Sequence, residues 1–146
     1  MKKILILFYS RTGNTERMAK AIAEGAKKDN LEVDLTFHIE PQELGSYDAI
    51  IIGAPTYHHE IPLDFKALFE QAAAQGISLK GKIGATFGSF GWSGEAPKNI
   101  LEIMKNKFEM QVIEPPVLSP YSPNEKMLDS CRELGKIIAE KLMSET

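Results

Sequence analysis

Two short, almost unbroken runs of apolar residues constrain the fold of this chain more than any other feature. Residues 3–9 and 49–53 have the length of strands, and neither shows the polar and apolar alternation of a strand with one wet face. Strands that read this way are covered on both faces, as in parallel sheets that carry helices on each side. The sequence therefore predicts two central strands of a parallel sheet.

The rest of the chain alternates strand and helix patterns around these two runs. Residues 31–37 alternate apolar and polar side chains, as expected of a half-exposed edge strand, and 82–88 and 111–118 supply two more strands. Apolar residues recur at helical spacing in four segments, 18–26, 65–72, 100–108 and 127–142, and 41–47 has room for a helical turn or two. Right-handed crossovers then predict an α/β fold: a doubly wound five-stranded parallel sheet, order 2-1-3-4-5, with helices on both faces.

Length and composition limit the classes of function. The 146 residues predict a single domain over 1–146, and 43% hydrophobic with 25% charged residues is typical of a globular chain rather than a disordered one. A formal charge of −3 argues against nucleic-acid binding. The one cysteine, Cys131, is interpreted as a core thiol in the last helix and favours a reducing, cytoplasmic setting. The first apolar run is too short for an export signal, and no run suggests a membrane span.

The loop after the first strand has the composition of a phosphate site. It reads Ser10, Arg11, Thr12, Gly13, Asn14 and Thr15 and runs straight into a helix. The glycine permits a tight turn, the hydroxyls donate hydrogen bonds, and the start of the helix adds N–H donors and a positive dipole. The same residues also suit a helix that is capped for purely structural reasons. The fingerprint of a dinucleotide site, Gly-x-Gly-x-x-Gly, does not follow this strand.

Two more loops are predicted at the same edge of the sheet. The one after the third strand contains Pro55, Thr56, Tyr57, His58 and His59. The one after the fourth strand contains Ser89, Phe90, Gly91, Trp92, Ser93 and Gly94. A metal site is disfavoured, because adjacent histidines point apart on an extended chain and no third ligand lies at metal-binding spacing. The glycines allow close approach to a flat ligand beside Phe90 and Trp92, although Trp92 could instead cap a helix.

Together the loops resemble those of flavodoxins. Residues 10–15 look like the flavodoxin phosphate loop, and the resemblance in order and spacing extends over the whole chain. Residues 54–59 and 88–95 are most similar to the flavodoxin-like domain of flavodiiron proteins, and the fifth strand lacks the long insertion of long-chain flavodoxins. The chain is thus identified as similar to a short-chain flavodoxin of the flavodiiron-like kind, with a flavodoxin-like fold.

The resemblance implies a noncovalently bound FMN and a role as a low-potential electron carrier without catalytic residues. Ser10 to Thr15 would hold the phosphate, with Arg11 either neutralising it or facing water. Pro55 to His59 would line one side of the isoalloxazine, where a protonated His58 or His59 would favour the anionic reduced flavin. Ser89 to Gly94 would supply backbone donors to the pyrimidine edge, with Trp92 packed on the ring.

The resemblance also implies protein partners, namely ferredoxin-type or flavin reductases and electron-accepting enzymes, and we expect a monomer. Docking would rest on local carboxylates such as Glu60, Asp64 and Glu95, although such carboxylates are more often only solvated charges at helix ends. The main alternative is an FMN-dependent NAD(P)H:quinone-type reductase of the same architecture, although no segment of the sequence resembles a nicotinamide site. A flavin-binding sensor or assembly module stays open as a third interpretation.

Overall fold

The computed structural model describes residues 1–10, 13–28, 30–56, 63–90 and 94–144. Its strands are β1 (Lys2–Phe8), β2 (Leu31–Thr36), β3 (Ala49–Gly53), β4 (Ile83–Phe90), β5 (Gln111–Val112) and β6 (Val117–Pro120). Its helices are α1 (Asn14–Ala26), α2 (Leu63–Ala74), α3 (Glu95–Glu102) and α4 (Glu125–Ser144). A 3₁₀ helix (Pro41–Ser46) and a π-helical turn (Ile103–Lys107) that extends α3 complete the elements.

The strands form one parallel sheet in the order β2-β1-β3-β4-β5, and β6 also pairs with β4. The predicted order is confirmed, and the two unbroken apolar runs are the central strands β1 and β3. Strand order reverses between these two, because β2 lies on the outer side of β1 while the chain continues from β3 to β4 on the other side. Ligands bind beside such a reversal, beyond the carboxyl ends of the strands.

The prediction of one continuous fifth strand over 111–118 was wrong. Two short strands, β5 and β6, replace it, and both pair with β4. Between them stand Pro115 and Pro116, with a cis peptide between Glu114 and Pro115. Because proline has no N–H to donate to a neighbouring strand, these two residues interrupt the ladder. The sheet therefore has six strands among the described residues.

Side chains of the central strands alternate between two hydrophobic layers. On one face Ile4, Ile6 and Phe87 pack with α1 and α4, and on the other face Leu5, Leu7 and Ile52 pack with α2 and α3. Cys131 is fully buried in the first layer, and burial raises the pKa of its thiol to about 12. The interpretation of Cys131 as a core thiol is confirmed. In the described part of the chain, no helix combines the length and apolarity that a membrane span requires.

Candidate functional site

The candidate site lies at the carboxyl ends of β1, β3 and β4, next to the reversal of strand order. Ser10 follows β1, Pro55 and Thr56 follow β3, and Ser89 and Phe90 are the last two residues of β4. The structure thus brings the described parts of all three predicted loops to one edge of the sheet. Several predicted site residues lie outside the described residues, and their roles stay predictions: Arg11, Thr12, Tyr57, His58, His59, Gly91, Trp92 and Ser93.

A tight turn joins β1 to α1. Gly13 has a φ of 88°, in the left-handed region, and its N–H donates to Ser10 Oγ at 3.0 Å. Its carbonyl accepts from the N–H of Arg17 at 3.0 Å, so that α1 begins at the next residue, Asn14. No atom of the described residues beyond its chain neighbours lies within 4 Å of the position that a Cβ on Gly13 would occupy, so the backbone conformation is what favours glycine here.

Thr15, in the first turn of α1, contacts the end of β4. Its Oγ1 lies 3.1 Å from Ser89 Oγ, and the N–H of Ser89 donates to the same Oγ1 at 3.5 Å. The two side chains are buried, with 1% and 8% of their surface exposed. The first and third predicted loops are therefore joined by direct hydrogen bonds.

Thr56 makes a similar connection between the second and third loops. Its Oγ1 accepts from the N–H of Ala96, in the first turn of α3, at 3.0 Å. The strands approach closely at this point, since a Cβ on Gly88 would lie 2.0 Å from the carbonyl oxygen of Ala54. Thr15 and Thr56 thus tie the three strand ends into one unit.

The fourth strand ends two residues later than predicted. Residues 88–90 were predicted to open the third loop, but they pair with β6, in the register of Ser89 with Ser119 and Phe90 with Pro120. The pairing of residues 88–90 with β6 was not predicted, because a single strand was expected opposite β4. Ser89 is therefore a buried strand residue, with its hydroxyl turned toward α1 rather than exposed in a loop.

Three residues that the sequence analysis did not single out adjoin the site. Arg17 donates to Asn14 Oδ1 at 2.9 Å and to the hydroxyl of Ser122, and so links α1 to the segment after β6. Tyr121, 69% exposed with a φ of 56°, donates its N–H to the carbonyl of Phe90 at 2.6 Å. Arg17 could have been predicted from the sequence, because a basic residue in the first turn of the helix after a phosphate loop lies near that loop. Tyr121 could not, because its position depends on the pairing of β6 with β4.

The donor set of the described residues fits a phosphate or a similar anion. A glycine turn opens onto the N-terminus of a helix of 13 residues, with Ser10 and Thr15 on either side of it. Such helix starts combine outward N–H groups with a positive dipole. Among the described residues no group of three His, Cys, Asp or Glu is placed to hold a metal ion.

The fold is that of a doubly wound α/β protein, and the loop after its first strand leads into a helix N-terminus that suits an anion. The sequence profile of the family named Flavodoxin matches residues 6–135. The chain belongs to the flavodoxin family. The predicted resemblance is confirmed.

Individual relatives include free-standing flavodoxins and larger flavoproteins. A flavodoxin structure from the domain Archaea is 35% identical, with a TM-score of 0.88 and coverage of 97% of this chain and 99% of that one. The Flv1 flavodiiron core from Synechocystis is 25% identical, with a TM-score of 0.86 and coverage of 99% of this chain and 37% of that one. The Type A flavoprotein fprA of Rhodobacter capsulatus is 32% identical over 97% of this chain, which spans 33% of that relative's length.

Proposed function

We propose that this chain binds FMN noncovalently and carries electrons between redox proteins. The observation that carries the proposal is the turn at Gly13, which opens α1 toward the reversal of strand order in a chain of the flavodoxin family. A phosphate placed there meets helix N–H groups and hydroxyls, and the adjoining ends of β3 and β4 lie where a flat ring system would extend.

The chain's own residues would bind and orient the cofactor. Ser10 to Thr15 would hold the phosphate, Pro55 to His59 would line one face of the ring, and Phe90 to Gly94 would border its polar edge. Hydrogen bonds to a charged group contribute roughly 1.5 to 3 kcal/mol each. Four or five of them offset the estimated 4 to 15 kcal/mol that association costs. When bound, FMN supplies one- and two-electron redox chemistry.

The burial of Ser89 changes what each part of the site can do. Its N–H is engaged by Thr15, at 3.5 Å, so backbone donors for the ring edge would come from the residues after it, up to Gly94. A Cβ on Gly94 would lie 2.9 Å from Leu118 Cδ1, so the missing side chain leaves room for Leu118 of β6.

For partners we propose ferredoxin-type or flavin reductases and electron-accepting enzymes. Asp64, exposed at the start of α2, and Glu95, at the start of α3, support docking by local carboxylates, while Glu60 lies outside the described residues. With a net charge of −3, association would depend on these local charges rather than on the field of the whole molecule. We also propose that the chain is a single cytoplasmic domain and a monomer, and light scattering of the purified chain tests the monomeric state.

Titration with FMN, followed by reduction, tests the proposal. Protein stripped of ligand should quench the fluorescence of added FMN at a ratio of one to one and become yellow. NADPH or NADH alone should leave the colour unchanged, and dithionite should bleach it. A protein that does not take up FMN would overturn the proposal. Bleaching by NADPH followed by reoxidation with a quinone would establish the reductase alternative in its place.

A further inference from the structure

The contact between Thr15 and Ser89 brings two possible hydrogen-bond donors, the N–H and the hydroxyl of Ser89, to one hydroxyl oxygen. A hydroxyl has one hydrogen to donate and two lone pairs that accept. Thr15 Oγ1 accepts from the N–H of Ser89 at 3.5 Å and lies 3.1 Å from its hydroxyl. Both side chains are buried, so water does not readily supply missing partners.

Either hydroxyl could donate to the other, and the hydroxyl that accepts must donate its own hydrogen elsewhere. If Thr15 donated to Ser89, the hydrogen of Ser89 would need another acceptor inside the protein. The hydroxyl beside it on the paired strand is that of Ser119, which is 1% exposed. It has no hydrogen-bond partner among the described residues, so it does not accept the hydrogen of Ser89. If Ser89 donates to Thr15, the hydrogen left over is that of Thr15, at the N-terminus of α1, where an anionic ligand brings acceptors.

We propose that Ser89 is a positioning residue for the phosphate end of the site. By donating to Thr15 with both its hydroxyl and its N–H, Ser89 fixes Thr15 as a hydrogen-bond donor to the phosphate of the ligand. This inference rests on the proposed function, because it takes the phosphate of FMN as the acceptor. It also couples the two ends of the site, since Ser89 belongs to the strand that leads into the segment proposed to border the flavin ring.

Comparison of FMN with riboflavin, which lacks the phosphate, tests this role. In Ser89→Ala the Kd for FMN should rise about tenfold, a ratio equivalent to about 1.4 kcal/mol, and the Kd for riboflavin should stay unchanged. Fluorescence titration measures both constants. Ser119→Ala is the matched control, because it removes a hydroxyl from the residue paired with Ser89, which is also buried but lies outside this contact. It should leave both constants at the wild-type values.

A double-mutant cycle separates positioning from a general structural role. Thr15→Val keeps the shape of Thr15 and removes its hydroxyl, so Ser89→Ala should add no further loss of FMN affinity in that background. Ser89→Cys, whose thiol is slightly larger than the hydroxyl and a weaker donor, should give an intermediate loss for FMN only. This variant serves as the test if Ser89→Ala does not fold.

The outcomes distinguish this inference from the proposed function. If the wild type binds FMN and Ser89→Ala weakens FMN and riboflavin equally, the inference is wrong and the proposed function stands. Losses that add in the Thr15→Val background would likewise contradict positioning through Thr15. If the wild type binds neither ligand, the proposed function fails, and this inference fails with it.

Discussion

Among single residues, Gly13 allows the effect of backbone conformation at the site to be measured apart from steric contact of a side chain. Its φ of 88° is costly for any residue with a Cβ, yet a Cβ there would meet no atom within 4 Å among the described residues beyond its chain neighbours. Gly13→Ala should therefore lower the free energy of unfolding by about 1 to 2 kcal/mol through strain alone. Gly13→Asn should cost less, because asparagine enters the left-handed region more readily. Urea denaturation of the variants measures both effects.

Gly76 provides the matched control for Gly13. Its φ of 70° is also left-handed, its Cβ position is equally open, and it ends α2 away from the strand ends of the site. Gly76→Ala should lose similar stability and bind FMN like the wild type, whereas Gly13→Ala should lose stability and FMN affinity together. Unchanged FMN affinity in Gly13→Ala would show that the turn does not shape the phosphate site.

Residue-level prediction from sequence succeeded where the signal was local. The turn at Gly13 could be predicted because a glycine among hydroxyls directly precedes a helical pattern. The contact of Thr15 with Ser89 could not, because the two residues are 74 positions apart and their contact depends on how α1 packs on β4. Sequence also could not show that Ser89 is buried, since that depends on its pairing with β6.

At the scale of elements, α1 and α4 pack so closely that their glycines touch backbone. A Cβ on Gly135 of α4 would lie 2.1 Å from the carbonyl oxygen of Ile22, and one on Gly25 of α1 would lie 1.8 Å from that of Arg132. Neither contact involves the end of a long side chain that could swing away. The two helices can meet at this distance only because both positions lack a side chain.

Gly135→Ala should therefore force the two helices apart. We expect the free energy of unfolding to fall by about 1 to 3 kcal/mol, as for other overpacked cores, even though alanine favours helix formation. Gly45→Ala is the control, because a Cβ there would lie at an ordinary distance of 3.8 Å from Ile77 Cγ2. Thermal and urea denaturation compare the two variants, and wild-type stability in Gly135→Ala would show that α4 can shift at no cost.

The order of the strands was predictable from the sequence, but the division of the edge strand beside β4 into β5 and β6 was not. Continuous apolar runs identify β1 and β3 as central strands, and the alternation in 31–37 matches β2, the edge strand. In 111–118 the apolar residues on either side of Pro115 and Pro116 outweighed the missing N–H donors of the prolines, so one strand was predicted where two form. Pairing rules, rather than hydrophobicity, decide where an edge strand breaks.

At the scale of the whole molecule, the chain pairs a conserved architecture with little overall charge. It covers 99% of an archaeal flavodoxin but only 33% of a type A flavoprotein, so the same fold serves alone in one relative and as a third of another. A net charge of −3 over these 146 residues gives weak long-range steering. Reduction by a partner protein would thus depend on fit around the strand ends more than on attraction at a distance.

The two faces of the sheet each contain a buried acid that makes stability depend on alkaline pH. Burial raises the pKa of the Cys131 thiol from 9.0 to about 12. On the opposite face, burial and the hydrogen bond from the Tyr47 hydroxyl to Asp34 Oδ2, at 2.6 Å, raise the pKa of that phenol above its usual 10.0. In both cases the unfolded chain loses its proton at a lower pH than the folded protein does, so rising pH favours unfolding.

The stabilisation from Cys131 should be complete below pH 9.0 and should decline as the pH rises toward about 12, and that from Tyr47 should decline only above pH 10.0. Urea denaturation across this range measures the slope of unfolding free energy against pH. Cys131→Ala should flatten the slope from pH 9.0 upward, and Tyr47→Phe should flatten it only above pH 10.0. Comparing slopes removes the constant cost of each substitution. Slopes equal to that of the wild type in both variants would show that other groups cause the alkaline loss.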